Sequence, residues 1–192
     1  MDSYEPNSDG VPIDLFVSKK KNKSAFHLKF TDSCSNLVFS LHPPPPRSDP
    51  PFFKRLLSDP SGNPLFYISH NQVTSFPFSK ACWEGYDSEK NDPLFRVERT
   101  TNTLSRVEFE VFLKGGNKTP DFKMRGSPFY RSCTIYKGDS IVAQTSLMYK
   151  LGIQKVLVPR NKFRLTIFPG YADHAFIVAL TVIFFYGRKL WI

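Results

Sequence analysis

Residues 175–186 read AFIVALTVIFFY and form the only long unbroken apolar run in the chain. As an α-helix this run would span roughly 18 Å, whereas the hydrocarbon core of a bilayer is about 30 Å thick. The run is also too apolar for a surface helix, because every face of it would be hydrophobic. Its length and uniform apolarity therefore predict a helix enclosed by protein, with partial entry into a membrane as the alternative.

The residues before the run carry the signals of a helix start. Pro169-Gly170 interrupts the preceding chain, and Asp173 is of a residue type that caps helix N-termini. We therefore predict that the helix begins near His174. The β-branched residues of the run would also suit a strand, so propensity alone does not decide. The residues to which we assign a structural role in this helix are Asp173, Phe176, Ile177, Leu180 and Ile183.

Most of the remaining chain reads as short strands in which apolar and polar residues alternate. This period of two places one row of side chains in a core and the other row in solvent. The 19 phenylalanines and 16 prolines among 192 residues also favour strands over long helices. The predicted strands are Ile13–Val17, Phe26–Phe30, Leu37–Leu41, Leu65–Ile68, Phe95–Val97, Val107–Val111, Phe122–Met124, Ile141–Gln144 and Phe163–Ile167.

Two segments have the plan of a β-hairpin, with strand, turn residues and strand in succession. They are residues 56–66 and residues 133–142, about half a chain apart. Their spacing hints at a two-fold pseudo-repeat. Many short strands at short spacing predict a sandwich or a barrel, and a closed barrel could enclose the apolar helix.

Charge and cysteine content limit the compartment and the partners. The net charge is +9, which favours anionic partners such as phosphoinositide headgroups, an acidic membrane surface, nucleic acid or acidic proteins; a solvated basic surface is the alternative. Three distant cysteines imply no disulfide framework. Residues 1–10 lack an apolar leader. We expect a cytoplasmic protein that is not secreted, with a peripheral membrane or nuclear location as alternatives.

The chain offers no recognisable catalytic or metal-binding pattern. None of the four histidines has metal-ligand spacing to another histidine or to a cysteine. No nucleophile elbow, phosphate-binding loop or dinucleotide fingerprint is present. We therefore predict no enzyme activity, no catalytic residues, no cofactor and no metal.

Four segments occur in an order that resembles the plant LURP-one-related family. They are LSDPSGNPL at 57–65, DFKMRGS at 121–127, RSCTIY at 131–136 and PGYADHAFIVAL at 169–180. The resemblance implies the fold shared by tubby C-terminal domains and phospholipid scramblases. In that fold a closed antiparallel barrel of about twelve strands surrounds a central hydrophobic helix near the C-terminus. It also implies a connection to plant defence and, by analogy with tubby, to membrane-tethered transcription factors.

The resemblance suggests a division of the chain. We expect a flexible tail at residues 1–10, a single domain at 11–186 and an atypical ending at 187–192, where the family usually becomes polar and acidic. The proline-rich segment 43–51 is expected to be an insertion or a rebuilt loop, with a polyproline recognition motif as the alternative.

The candidate ligand-binding residues are Lys123, Arg125 and Arg131. Lys123 and Arg125 lie two apart on a predicted strand and so share one face. Tubby domains hold phosphoinositide headgroups with a Lys-x-Arg pair on a strand, so the analogy implies an anionic-lipid contact here. The alternative interpretation is an ordinary solvent-facing strand.

The leading functional hypothesis is a monomeric, non-enzymatic binding or regulatory module. Its expected partners are phosphoinositides or an acidic membrane surface, and otherwise other proteins. A scramblase-like protein that binds or moves lipid is one alternative, and a regulator that binds nucleic acid is another.

Overall fold

The computed structural model describes residues 10–21, 26–42, 55–72, 81–87, 93–103, 106–116, 118–127, 132–147, 162–170 and 173–186. Arg131, the proline-rich segment 43–51 and the ending 187–192 lie outside these ranges. The predicted roles of those three parts therefore stay predictions, as do the domain boundaries.

Across the described residues the chain forms a run of strands followed by one helix. The strands are β1 Ile13–Lys21, β2 Phe26–Thr31, β3 Leu37–His42, β4 Arg55–Ser58, β5 Pro64–Gln72, β6 Ala81–Asp87, β7 Pro93–Asn102, β8 Val107–Leu113, β9 Phe122–Ser127, β10 Ser132–Lys137, β11 Ser140–Leu147 and β12 Lys162–Ile167. The helix is α1 His174–Tyr186.

The strands close into one antiparallel barrel. Each strand pairs with its neighbours in sequence, and β1 also pairs with β12 in the register Ile13↔Ile167 to Val17↔Phe163. Closure removes the exposed sheet edges that an open sheet would present. The predicted fold class, a mainly β closed barrel around a C-terminal hydrophobic helix, is confirmed. The two-fold pseudo-repeat stays a prediction.

Alternation along the strands separates the core from the outer surface. On β8, Val107, Phe109 and Val111 are buried, while Glu108 and Glu110 between them face outward. The same alternation recurs on neighbouring strands, as the period of two predicts. Both predicted hairpins are present, as β4–β5 and β10–β11.

The helix α1 occupies the inside of the barrel. Every side chain from Ala175 to Phe185 is at most 8% exposed. Phe176 packs against Phe95 and Phe122 at ring-centroid distances of 5.0 and 5.4 Å, and Phe184 packs against Phe109 at 5.7 Å. The apolar run is thus enclosed by protein, the first of the two predicted outcomes.

Asp173 caps the start of this helix. Its Oδ1 accepts a hydrogen bond from the Ala175 backbone N–H at 2.8 Å, and its carbonyl accepts the first helical bond from Ile177 N–H at 3.1 Å. A capped terminus satisfies backbone donors that would otherwise have no partner inside the barrel. The described part of the chain contains no helix with the length and apolarity needed to cross a membrane.

Strand β6 was not predicted from the sequence, because its apolar residues do not alternate cleanly. Cys82 and Trp83 are adjacent and both buried, and Gly85 adds no side chain to the pattern. Gly85 is nevertheless required by packing. A Cβ built there would lie 2.1 Å from the Phe95 ring, so the ring fills the space that a side chain would occupy.

Candidate functional site

The candidate basic pair lies on β9, on the outer surface of the barrel. Phe122 and Met124 point into the core, so Lys123 and Arg125 point outward between them. Their side chains are 48% and 49% exposed. The structure therefore brings these two cations to the same outer face, side by side on one strand.

Carboxylates on the neighbouring strand β8 face both cations. Lys123 lies opposite Glu110 and Arg125 lies opposite Glu108 in the strand register. The Lys123 Nζ to Glu110 Oε1 distance is 3.9 Å, and Arg125 Nε to Glu108 Oε1 is 3.3 Å. Arg106 Nη2 also contacts Glu108 Oε1, at 2.6 Å. Each cation of the pair thus has a carboxylate as its present partner.

An aromatic ring on β10 completes the surroundings of Arg125. The guanidinium carbon of Arg125 lies 5.9 Å from the centroid of the Tyr136 ring, within the range of a cation–π contact. This contact and the bond to Glu108 restrain the long side chain. A restrained guanidinium loses less conformational entropy when it binds a ligand.

Both cations line one surface groove, which we call the β9 groove. Its volume is about 470 Å³, and it lies on the outer surface of the barrel. Asp121 and Asp139 lie on its rim, and one Asp121 oxygen, Oδ2, already accepts the Leu113 N–H at 2.8 Å. The residues that line the groove are Thr119, Pro120, Asp121, Phe122, Lys123, Arg125, Tyr136, Gly138 and Asp139.

The groove can bind an anion if Lys123 and Arg125 exchange their carboxylate partners for it. An arginine has five N–H donors and a lysine has three, so one carboxylate contact leaves most donors available. At about half exposure these ion pairs are each worth roughly 0–1 kcal/mol. A multiply charged phosphate could therefore compete with Glu108 and Glu110 for the cations, most effectively at low ionic strength.

A second groove, of about 610 Å³, lies beside β7 and β8. Arg96 crosses it, with Nη2 3.1 Å from Glu98 Oε1 and its guanidinium carbon 5.4 Å from the Phe112 ring centroid. Arg96 thus has the same kind of partners as Arg125 in the β9 groove, a carboxylate and an aromatic ring.

The two buried thiols, Cys82 and Cys133, are unsuited to nucleophilic chemistry. Burial raises the pKa of the Cys82 thiol to about 11 and raises that of Cys133 further. Both thiols are therefore protonated at neutral pH, whereas the thiolate is the reactive form. Within the described ranges no group of three or more His, Cys, Asp or Glu side chains could hold a metal ion.

The sequence-predicted residues that the structure describes, all except Arg131, fall into two separate places. Lys123 and Arg125 meet in the β9 groove, whereas Asp173, Phe176, Ile177, Leu180 and Ile183 belong to the enclosed helix. Sequence reasoning missed Glu108, Glu110 and Tyr136 as neighbours of the basic pair. Their alternation was visible, but only the strand register shows which of them face Lys123 and Arg125.

Comparisons with known proteins agree with this architecture. The model of the family described as LURP-one-related matches residues 13–185. The chain is similar to protein LURP-one-related 7 of Arabidopsis thaliana, with 44% identity over 96% of both chains. It is 31% identical to protein LURP-one-related 15 of the same plant over 90% of this chain and 78% of that one. An X-ray structure of an Arabidopsis thaliana protein superposes with a TM-score of 0.62 at 28% identity, covering 91% of this chain and 90% of the other.

Proposed function

Because the chain belongs to the LURP-one-related family, we propose that it is a non-enzymatic binding module whose β9 groove contacts phosphoinositide headgroups. One observation carries the proposal: Lys123 and Arg125 stand side by side, about half exposed, and line the same outer groove. Lysine supplies a compact charge and arginine a fork of donors, a combination that suits clustered phosphate oxygens.

The charge of the whole molecule supports an anionic partner. A net charge of +9 draws anions toward the surface before any specific contact forms. The carboxylates beside the basic pair reduce this attraction locally. We therefore expect binding to a surface with several phosphates, strong at low ionic strength and weak at high ionic strength.

Deep insertion into lipid has less support. The most apolar element, α1, is enclosed by the barrel. Among the described residues the large apolar side chains left exposed are Val11 before β1, Leu113 on β8 and Ile141 on β11, and none of these three strands pairs with another of them. Three dispersed side chains do not make a contiguous apolar patch. We therefore propose electrostatic contact with a headgroup rather than a scramblase-like lipid movement.

Membership of the family suggests a biological role for this lipid binding. We propose that the module acts in regulation connected with plant defence, in the manner inferred for membrane-tethered factors of tubby type. Plants that lack the protein would then respond differently to a pathogen challenge. An unchanged response in plants that also lack the similar LURP-one-related proteins would refute the proposed role in defence. It would not bear on the proposed lipid binding.

Co-sedimentation with vesicles tests the lipid proposal. The purified chain is mixed with phosphatidylcholine vesicles that contain or lack a bisphosphorylated phosphatidylinositol. We expect sedimentation only with the phosphoinositide, and its loss as ionic strength rises from about 0.01 M to about 0.15 M. Absence of sedimentation even at the lower ionic strength refutes the proposal. Tighter binding to a DNA or RNA oligonucleotide than to the vesicles would favour the nucleic-acid alternative instead.

A further inference from the structure

Three polar side chains, those of His70, Trp83 and Arg99, share the inner face of three neighbouring strands, whereas the β9 groove lies on the outer surface. His70 on β5 lies directly opposite Trp83 on β6, and Trp83 lies opposite Val97 on β7. Residues opposite each other in antiparallel strands project from the same face. Val97 is fully buried, so His70 and Trp83 point into the barrel on the same face as Val97.

Arg99 joins this row from the next inward position of β7. Its strand partner is Phe109, a buried core residue, so Arg99 also faces the inside. It is diagonal to Trp83, a separation of roughly 7–8 Å between Cα atoms that a long side chain can bridge. Phe109 packs on Phe184 of α1 at 5.7 Å, which places the cluster near the last turns of the helix.

The polar atoms of this cluster have no partner among the described residues. His70 is 4% exposed and Trp83 is 3% exposed, and their rings meet at a centroid distance of 4.5 Å. Both ring nitrogens of His70 and the Nε1–H of Trp83 make no hydrogen bond in the described part of the chain. Buried polar groups normally have partners, because leaving them unpaired costs free energy.

The cluster is rich in hydrogen-bond donors and includes the guanidinium of Arg99. No carboxylate within the described ranges forms an ion pair with Arg99, whose side chain is partly buried. Burial lowers the pKa of Arg99; burial first and then the charge of Arg99 lower the pKa of His70. A neutral imidazole offers one N–H donor, which adds to those of the indole and the guanidinium.

We propose that Arg99, Trp83 and His70 form a binding site for a phosphate-type oxyanion on the inner wall of the barrel. An oxyanion would neutralise the guanidinium and accept hydrogen bonds from the indole and imidazole at once. The donors lie on the shared inner face of three neighbouring strands, so more than one of them can reach the same anion, which offers several oxygens as acceptors. Arg99 is the partly exposed member of the cluster, so we propose that the anion enters the site from the Arg99 end.

The indole N–H resonance of Trp83 reports directly on this site. The chain has two tryptophans, so a Trp83→Phe variant assigns the Trp83 signal in a proton–nitrogen NMR spectrum. Inorganic phosphate is titrated at constant ionic strength, and Tm is measured in parallel. We expect a saturable shift of the Trp83 resonance and a rise in Tm, because the ligand binds only the folded state.

Variants separate a binding role from a structural one. Arg99→Gln should weaken phosphate affinity by roughly tenfold or more, whereas Arg164→Gln on the outer surface should leave it unchanged. Trp83→Phe keeps an aromatic side chain but loses the indole N–H and part of the ring volume, so it should lower the Tm without phosphate and show a smaller rise in Tm when phosphate is added. If Arg99 serves only the C-terminal end of α1, Arg99→Gln lowers Tm equally at every phosphate concentration and phosphate does not move the indole resonance. That result overturns the proposal, as does a wild-type chain that does not respond to phosphate.

Two further experiments examine the source of the phosphate and the independence of the two sites. A soluble inositol phosphate that shifts the resonance at lower concentration than inorganic phosphate identifies a headgroup as the ligand, and the reverse order identifies a free anion. A Lys123→Gln/Arg125→Gln variant should keep the full indole response, because the β9 groove lies on the outer surface. The inner site and the proposed lipid contact can therefore fail independently.

Discussion

At the scale of single residues, His42 makes the free energy of unfolding depend on pH. It lies opposite His27 on the β2–β3 pair, with the two Nδ1 atoms 3.3 Å apart, and its Nε2 is 2.8 Å from Ser40 Oγ. Burial, followed by the charges of His27 and Lys29, lowers its pKa below the usual 6.5. A protonated His42 would face a second imidazole and a nearby ammonium, so the folded state favours the neutral form.

This shift predicts a loss of stability in mild acid. Above about pH 6.5 neither state is protonated at His42 and its contribution is complete. As pH falls below that value the unfolded chain takes up the proton first, so the unfolding free energy decreases until the folded pKa is passed. Urea unfolding should show a lower free energy at about pH 5 than at about pH 7.5. His42→Gln should reduce this slope; an identical slope in both proteins would contradict the assignment.

Gly85 is the residue at which a single methyl group should disturb the core. The Phe95 ring that occupies its side-chain space also packs edge-to-face on Phe176 at 5.0 Å, so it has little room to move. Gly85→Ala should lower the unfolding free energy by about 1–3 kcal/mol, the usual cost of overpacking. The measurement is urea unfolding, with the exposed strand substitution Gln144→Ala as a control.

A double variant tests the stated cause. If the alanine clashes with the ring, Gly85→Ala combined with Phe95→Leu should cost less than the sum of the single changes, because the smaller side chain vacates the space. Additive losses would mean that Gly85 is needed for another reason.

At the scale of elements, the start of α1 depends on one side chain. Asp173 Oδ1 accepts the Ala175 N–H at 2.8 Å at the edge of an otherwise apolar interior. Asp173→Ala should lower the unfolding free energy by about 1 kcal/mol, because the donor loses its partner. Asp173→Asn keeps a capping oxygen and should cost much less. Equal losses for the two variants, measured by urea unfolding, would assign the effect to charge rather than to capping.

The strands and the helix differ in how well they can be predicted from the sequence. Strand β8 is readable because Val107, Phe109 and Val111 alternate with charged residues, and α1 is readable because its apolar run has no polar face. Strand β6 is not, since Gly85 leaves the pattern incomplete. The closed barrel followed from a family resemblance, because periodicity records which face of a strand is buried but not which strands pair.

Sites formed by residues from several strands are the hardest feature to predict from the sequence. Lys123 and Arg125 are adjacent on one strand, so their shared face follows from spacing. Their partners Glu108 and Glu110 depend on the β8–β9 register, which no local pattern encodes. His70, Trp83 and Arg99 come from the consecutive strands β5, β6 and β7, and only the pairing registers of those strands place them side by side. The outer pair was therefore predictable and the inner cluster was not.

At the scale of the whole molecule, the outer surface carries mixed charge despite the overall excess of +9. The pairing of Lys123 with Glu110 and of Arg125 with Glu108 should restrain binding to anionic vesicles. Glu108→Gln/Glu110→Gln should therefore strengthen co-sedimentation by up to roughly 30-fold, since each unit of charge near such a surface contributes about 1 kcal/mol. Unchanged or weaker binding would indicate that the carboxylates do not compete with the phosphates.

A second Lys-x-Arg pair provides a matched control for the central claim. Lys162 and Arg164 lie two apart on β12, face outward, and include an ion pair in which Arg164 Nη1 is 3.3 Å from Asp14 Oδ2. They differ from the pair on β9 in not lining the β9 groove. Replacing either pair with glutamine lowers the formal net charge by the same amount, from +9 by two to +7.

The most direct test is co-sedimentation of these two double variants with phosphoinositide vesicles at low ionic strength. Lys123→Gln/Arg125→Gln should bind roughly 30-fold more weakly than the wild type, because two cations near the surface contribute about 2 kcal/mol. Lys162→Gln/Arg164→Gln should bind nearly as well as the wild type. Equal losses in both variants would show that net charge rather than the β9 groove drives binding, and would contradict the account.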